Sequence, residues 1–231
     1  STTKKSKQWS IKMGKSRKFV FNFLSPSIDM IYKKSIISKN NLEKKYKIKF
    51  TGNDILLIQH PITTEPEKSK NQILVLTKGI LKTKQTVFAI APNSDAGNNE
   101  IFQTLELLSK KYSKFYLFKN IRREDYLGFL KYSGVLVGNS SSGIVEAVYL
   151  NTHVINIGIR QKDRETDSNV HHIENPTSEI IEKTINKFLK LKKVKIKNNF
   201  IYGKGNSCSK ILKILEAVKI DEELIQKQIE Y

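Results

Sequence analysis

Five short apolar runs, separated by longer amphipathic segments, constrain this chain more than any other feature. Ile55–Ile58, Val87–Ile90, Phe115–Phe118, Val135–Val137 and Val154–Ile157 are apolar at nearly every position. Strict alternation would leave one strand face in water, whereas near-continuous apolarity fits parallel strands covered on both faces. The intervening segments follow a helical period: 65–82 carries Ile73, Leu74, Leu76, Ile80 and Leu81, 99–111 carries Ile101, Leu105, Leu107 and Leu108, and 123–132 carries Tyr126, Leu127, Phe129 and Leu130. Strand and helix in this alternation predict βαβ units and an α/β fold, a Rossmann-like doubly wound parallel sheet. With 231 residues the chain can form one such domain with added segments.

The flanks read differently. Residues 1–18 hold seven Lys or Arg, and residues 25–48 predict two short helices, Ser27–Lys33 and Asn41–Tyr46. Beyond residue 176, Lys-rich helices are expected at 178–192 and 207–230, joined by a loop from Asn198 to Ser207. No apolar run approaches bilayer length and no secretory signal precedes the fold, so a cytoplasmic protein without membrane contact is the expectation. Cys208, the single cysteine, cannot close an internal disulfide and reads as structural filler.

The formal net charge of +19 raises nucleic acid as a partner. Only five of the 41 basic residues are arginine (Arg17, Arg122, Arg123, Arg160, Arg164), and the lysines are scattered. Nucleic-acid readers cluster their cations or carry a recognisable module. Neither is present, so no nucleic-acid partner is expected.

Ligands of doubly wound sheets bind beyond the carboxyl ends of the strands. There the chain carries Gln59-His60-Pro61-Ile62-Thr63-Thr64-Glu65, Ala91-Pro92-Asn93-Ser94-Asp95-Ala96-Gly97, Gly138-Asn139-Ser140-Ser141-Ser142-Gly143-Ile144-Val145-Glu146 and Gly158-Ile159-Arg160-Gln161-Lys162-Asp163-Arg164. The third is the most informative: a strand stops at glycine, three hydroxyls follow, and a helix is expected to begin. One serine would read as a helix cap. Three serines between glycines point to a phosphate or diphosphate site built from hydroxyls and helix-end N–H groups. Glu146 is placed to accept both hydroxyls of a ribose, or to serve the helix end. Arg160 brings the planar fork that suits a diphosphate. Arg164 reads more weakly, as a partner for Glu165 or Asp167. His60, held extended by Pro61, can aim its imidazole out of the sheet, and Asn93 can donate its amide to the same anion. No nucleophile–base pair, metal signature or cofactor motif emerges.

Together these segments resemble the hydrolysing UDP-N-acetylglucosamine 2-epimerases of sialic-acid-type pathways. The likeness rests on His60–Glu65, Pro92–Gly97, Gly138–Glu146 and Asn156–Glu165, with Tyr202-Gly203-Lys204-Gly205-Asn206 in support. It implies the second half of a glycosyltransferase-B-type two-domain enzyme. By motif position, UDP would be contacted by His60, Asn93, Ser140, Ser141, Glu146 and Arg160, with the uracil near Ile121. Residues 1–18 would then be the last helix of a missing N-terminal domain and its crossover, and 19–231 the UDP-binding domain. The implied partners are a UDP-N-acetylhexosamine and that missing domain, with a homo-oligomer expected at full length. No catalytic residue is assigned, since the family's acid–base carboxylates come mainly from the first domain. One departure stands out: Leu24 occupies a position where the family usually has glycine. A non-hydrolysing epimerase, a UDP-sugar glycosyltransferase and a non-catalytic nucleotide- or polyanion-binding module remain as alternatives. The sugar stays open between GlcNAc, a diacetamido sugar and a GDP-linked analogue.

Overall fold

The computed structural model describes residues 1–33, 36–191 and 197–226. The chain divides into two compact units, one made of Ser1–Ser35 with Asn198–Tyr231, the other of Ile36–Lys197.

The larger unit is built on six parallel strands in the order β3-β2-β1-β4-β5-β6. These are β1 (Ile55–Ile58), β2 (Val87–Ile90), β3 (Phe115–Phe118), β4 (Val135–Gly138), β5 (His153–Ile157) and β6 (Val170–Ile173). The order reverses between β1 and β4, which is the switch point where such sheets bind ligands. Five strands lie where the apolar runs predict them. The sixth, Val-His-His-Ile, was not expected: it pairs only with β5, and His171 and His172 are exposed. An edge strand needs no two-sided apolar pattern, so the run is invisible to that signal.

Numbered along the chain, the helices are α1 (Lys4–Lys12), α2 (Pro26–Lys33), α3 (Lys39–Tyr46), α4 (Ser69–Lys82), α5 (Asn98–Lys111), α6 (Arg123–Tyr132), α7 (Ser141–Val145), α8 (Ser178–Lys190), α9 (Ser207–Ala217) and α10 (Glu222–Ile225). One sheet face, with Ile55, Leu57, Val87, Ala89, Val135, Val137 and Ile155, packs against Ile73, Leu76 and Ile80 of α4, Ile101 and Leu105 of α5, and Ile181 and Ile185 of α8. The α4 and α8 contact is close enough that a Cβ at Gly79 would sit 2.7 Å from the Ser178 carbonyl oxygen. The opposite face is aromatic: Phe88 and Phe118 meet Phe129 of α6, which also meets Tyr46 of α3 and Phe50. Asp125 of α6 ties α3 to this layer, accepting from Lys45 Nζ at 2.5 Å and the Tyr46 hydroxyl at 2.8 Å. Burial and that carboxylate push the Tyr46 phenol up to about 12.

In the smaller unit, the Thr3 side chain caps α1 by accepting the Ser6 N–H. Asp29 of α2 is 2% exposed and accepts the N–H groups of Ser207 at 3.0 Å and Cys208 at 2.7 Å, which caps the start of α9. Cys208, expected as structural filler, is itself exposed. Leu24 has φ +68°, the left-handed region that glycine enters at no steric cost. Its N–H is held by Asn22 Oδ1 at 3.2 Å.

The last helices are shorter than expected. Leu191 is extended, ending α8 at Lys190; residue 192 lies outside the described residues. The segment 207–230 is broken after Ala217 by extended Val218, and Asp221 opens α10 by accepting the Leu224 N–H at 3.0 Å; residues 227–230 lie outside the described residues. Among the described residues no helix is long and apolar enough to cross a membrane.

Candidate functional site

The switch point is organised by Asn139, which is fully buried. Its backbone N–H continues the ladder to the Ile58 carbonyl at 3.0 Å. Its side chain then clamps the backbone of His60 on both sides, accepting the N–H and donating to the carbonyl, each at 2.8 Å. Its own carbonyl accepts from Arg160 Nη1 at 3.2 Å and Gln161 Nε2 at 2.9 Å. One residue thereby locks the ends of β1, β4 and β5 together. The preceding Gly138 makes this possible: at φ +131°, a Cβ there would lie 2.0 Å from the Ile58 carbonyl oxygen. Asn139 lies within the Gly138–Glu146 motif, whose pattern assigns it no role. A polar side chain between a strand and a turn at the switch point was the available signal.

His60 is half-buried, and its Nδ1 accepts the Asn93 N–H at 3.1 Å. The imidazole hydrogen therefore sits on Nε2 in the neutral form. Burial, reinforced by the Arg160 charge, lowers its pKa to about 4, against a weaker opposing pull from Asp95. At neutral pH, His60 is thus a neutral donor. The Asn93 amide donates to Asp95 Oδ2 at 2.5 Å, and its backbone N–H orients His60.

The serine run differs from expectation in one respect. Its helix, α7, has five residues and passes at Glu146 into a 3-10 turn over Ala147–Leu150. A single turn has little macrodipole, so hydroxyls and cations carry any anion affinity here. Ser140 accepts the Ser142 N–H at 3.4 Å and shares a 2.9 Å bond with the Ser142 hydroxyl. The Tyr126 hydroxyl of α6 bonds Ser142 in turn. Burial pushes the Tyr126 phenol up, so it stays protonated. Ser141 is exposed at the rim.

Glu146 is 5% exposed and is held by Arg123 in a two-pronged ion pair, Nη1 to Oε2 at 2.9 Å and Nη2 to Oε1 at 2.5 Å. Burial disfavours the Arg123 charge, but the bond and charge of Glu146 outweigh that and raise its pKa. Arg123 was missed as a site residue. In a chain with five arginines among 41 basic residues, arginine itself was the signal, because only its fork holds both oxygens. Arg164 donates to Gln161 Oε1 at 3.0 Å and supports the residue that steadies Asn139. Ile121 lies in the short segment between β3 and α6, half-buried. Among the described residues no three His, Cys, Asp or Glu side chains come together as a metal-holding group.

The strand ends thus bring His60, Ser140 and Arg160 around Asn139, with Glu146 and Arg123 at the end of α7. Neutral N–H and O–H donors and the Arg160 guanidinium form an array suited to an anion, beside a buried carboxylate engaged by Arg123.

Comparison with known proteins shows the family and the fold. Residues 1–216 match the family described as UDP-N-acetylglucosamine 2-epimerase. Among curated relatives, a UDP-N,N′-diacetylbacillosamine 2-epimerase (hydrolyzing) from Legionella pneumophila is 28% identical over 97% of this chain and 59% of its own length. A UDP-N-acetylglucosamine 2-epimerase from Neisseria meningitidis is 31% identical over 74% of this chain and 45% of its own length. The chain therefore spans about half the length of these relatives. A solved structure of the Neisseria meningitidis UDP-GlcNAc 2-epimerase bound to UDP-GlcNAc has the same fold, with a TM-score of 0.69 at 18% identity, over 94% of this chain and 61% of that one. This chain belongs to the UDP-N-acetylglucosamine 2-epimerase family.

Proposed function

We propose that the chain supplies the UDP-binding half of a hydrolysing epimerase, which converts UDP-GlcNAc and water to N-acetylmannosamine and UDP. The observation that carries the reading is the convergence of His60, Ser140 and Arg160 on the Asn139 hub at the switch point. Anti elimination of UDP would give a 2-acetamidoglucal, and addition of water across its double bond would give the inverted C2 centre. The leaving diphosphate needs positioned donors that strengthen as charge develops. The His60 Nε2 hydrogen, the Ser140 and Ser141 hydroxyls and the Arg160 fork fill that role, while Glu146 takes the ribose hydroxyls. Proton removal at C2 requires a closely placed base. No such group is assigned among His60, Asn93, Ile121, Ser140, Ser141, Glu146 and Arg160, and the acid–base carboxylates are proposed to lie on a first domain facing this one. The hydrolysing assignment is supported by the similarity to the Legionella pneumophila UDP-N,N′-diacetylbacillosamine 2-epimerase (hydrolyzing).

The test is product analysis of a full-length enzyme containing this chain. Proton NMR during incubation with UDP-GlcNAc should show free UDP and N-acetylmannosamine rising together. Accumulation of an epimerised UDP-sugar without free UDP would assign the non-hydrolysing reaction instead. The present chain alone should bind UDP without turnover.

A further inference from the structure

We infer that Tyr126 is a positioning residue of the anion cradle: acting through Ser142, it fixes the Ser140 hydroxyl as a donor toward a bound diphosphate. The inference rests on the reading of Ser140 as a contact of that diphosphate. The Tyr126 hydroxyl donates to Ser142 Oγ. Ser142 Oγ lies 2.9 Å from Ser140 Oγ, and the Ser142 N–H reaches the same Ser140 oxygen at 3.4 Å. Three hydroxyls, one from α6 and two from the serine turn, thus stand in a row. Ser140, the neighbour of Asn139, is the last of them.

A count of hydrogens sets the direction of the row. A hydroxyl carries one hydrogen and two acceptor positions, and it rotates to suit its neighbours. A phenol is a stronger acid than an aliphatic hydroxyl, so Tyr126 is the donor of the first pair. Burial keeps that phenol protonated. Ser142 Oγ accepts its hydrogen, and among the described residues the Ser142 hydrogen in turn finds an acceptor at Ser140 alone. Ser140 Oγ then receives both the O–H and the N–H of Ser142, which fills its two acceptor positions. Its own hydrogen is left for an outside acceptor. Without Tyr126 the Ser140–Ser142 bond is free to reverse, and Ser140 would then turn a lone pair to the anion. A donor oriented in advance needs no rearrangement as charge develops on the leaving group. Successive bonds in a row also polarise one another, which strengthens the last donor.

The test titrates UDP by calorimetry into the wild-type chain, Tyr126→Phe, Ser140→Ala and the variant carrying both changes. Tyr126→Phe keeps the ring that lies 5.5 Å from the Arg123 guanidinium and removes only the first donor of the row. It should weaken UDP binding about threefold to tenfold, the worth of one hydrogen bond. Ser140→Ala should weaken it at least as much. Adding Tyr126→Phe to Ser140→Ala should then weaken it no further, because the row has lost the hydroxyl it orients. Ser142→Ala cuts the row in the middle, should match Tyr126→Phe, and takes its place should the phenylalanine variant not fold. Equal losses from Tyr126→Phe with and without Ser140 would overturn the inference, since a merely structural role does not depend on that hydroxyl. Unchanged affinity in Tyr126→Phe beside a weakened Ser140→Ala would also overturn it and leave the cradle standing. Unchanged affinity in Ser140→Ala would sink the reading of Ser140 itself, and the inference with it.

Discussion

The Nδ1 atom of His60 accepts the backbone N–H of Asn93 across the ends of β1 and β2, at 3.1 Å. That bond is incompatible with a proton on Nδ1, so it selects the neutral ring and leaves hydrogen on Nε2. The half-burial of the ring and the nearby Arg160 act in the same direction.

The pH dependence follows from the depressed pKa. Between about 6.5 and about 4 the unfolded chain binds a proton that folded His60 refuses, so stability is lost as pH falls through this window. The contribution is at most about 3 kcal/mol, reduced by the partial exposure of the ring. Urea unfolding of wild type and His60→Gln at several pH values should give curves that converge toward pH 4 and separate above 6.5. Parallel curves would show that His60 titrates normally.

Asn139→Ala should be among the most damaging substitutions in the sheet. It strands the N–H and carbonyl of His60, and such orphaned groups together destabilise by about 2–4 kcal/mol. Denaturant midpoints measure it. A loss below about 1 kcal/mol would show that water replaces the clamp, and that Asn139 is not the hub.

Two backbone positions should respond in opposite directions. Gly138→Ala drives a methyl to 2.0 Å from the Ile58 carbonyl oxygen and should destabilise by about 3 kcal/mol or more. Lys47, exposed and left-handed at φ +53° after α3, is placed where glycine terminates helices. Lys47→Gly should stabilise by about 0.5–1 kcal/mol. Thermal melts of both variants test the pair.

Glu146→Gln separates the ribose from the phosphates. The amide keeps the shape of the side chain but loses its charge, and one of its two ends becomes a donor. UDP affinity should fall about tenfold, the worth of one bond to a charged acceptor, while pyrophosphate affinity holds. Equal losses for both ligands would return Glu146 to a purely structural role with Arg123.

The fold was readable because its signal is apolar and local: β1, β2, β4 and β5 are largely buried, and the edge strand β3, half-buried, is still apolar at every position. What escaped is polar or lies at an edge. The His171-His172 strand pairs on one side only, and the break at Val218 was masked by the helical pattern around it, although Asp221-Glu222-Glu223 marks a new helix start. Within the site, strand-end position alone nominates His60, Asn93, Ser140 and Arg160, but nothing in a sequence says that the Asn93 backbone N–H meets His60 while its amide meets Asp95. Arg123 and Asn139 act through other residues across chain separations of 23 and 79, which no motif spacing encodes. Leu24, singled out by the resemblance as a departure from glycine, has a left-handed backbone at φ +68°.

The central claim is that the strand ends around Asn139 form a diphosphate cradle, and calorimetric titration of UDP into wild type, Ser141→Ala and Arg160→Ala tests it most directly. Arg160 reaches the hub from the end of β5, and Ser141 opens α7 with an exposed side chain. If the claim holds, each substitution removes a charge-assisted bond to the diphosphate and weakens binding by about 1–3 kcal/mol. Folding should be kept, since Gln161 still holds the Asn139 carbonyl in Arg160→Ala. Unchanged UDP affinity in both folded variants would contradict the account and place the nucleotide elsewhere on the chain.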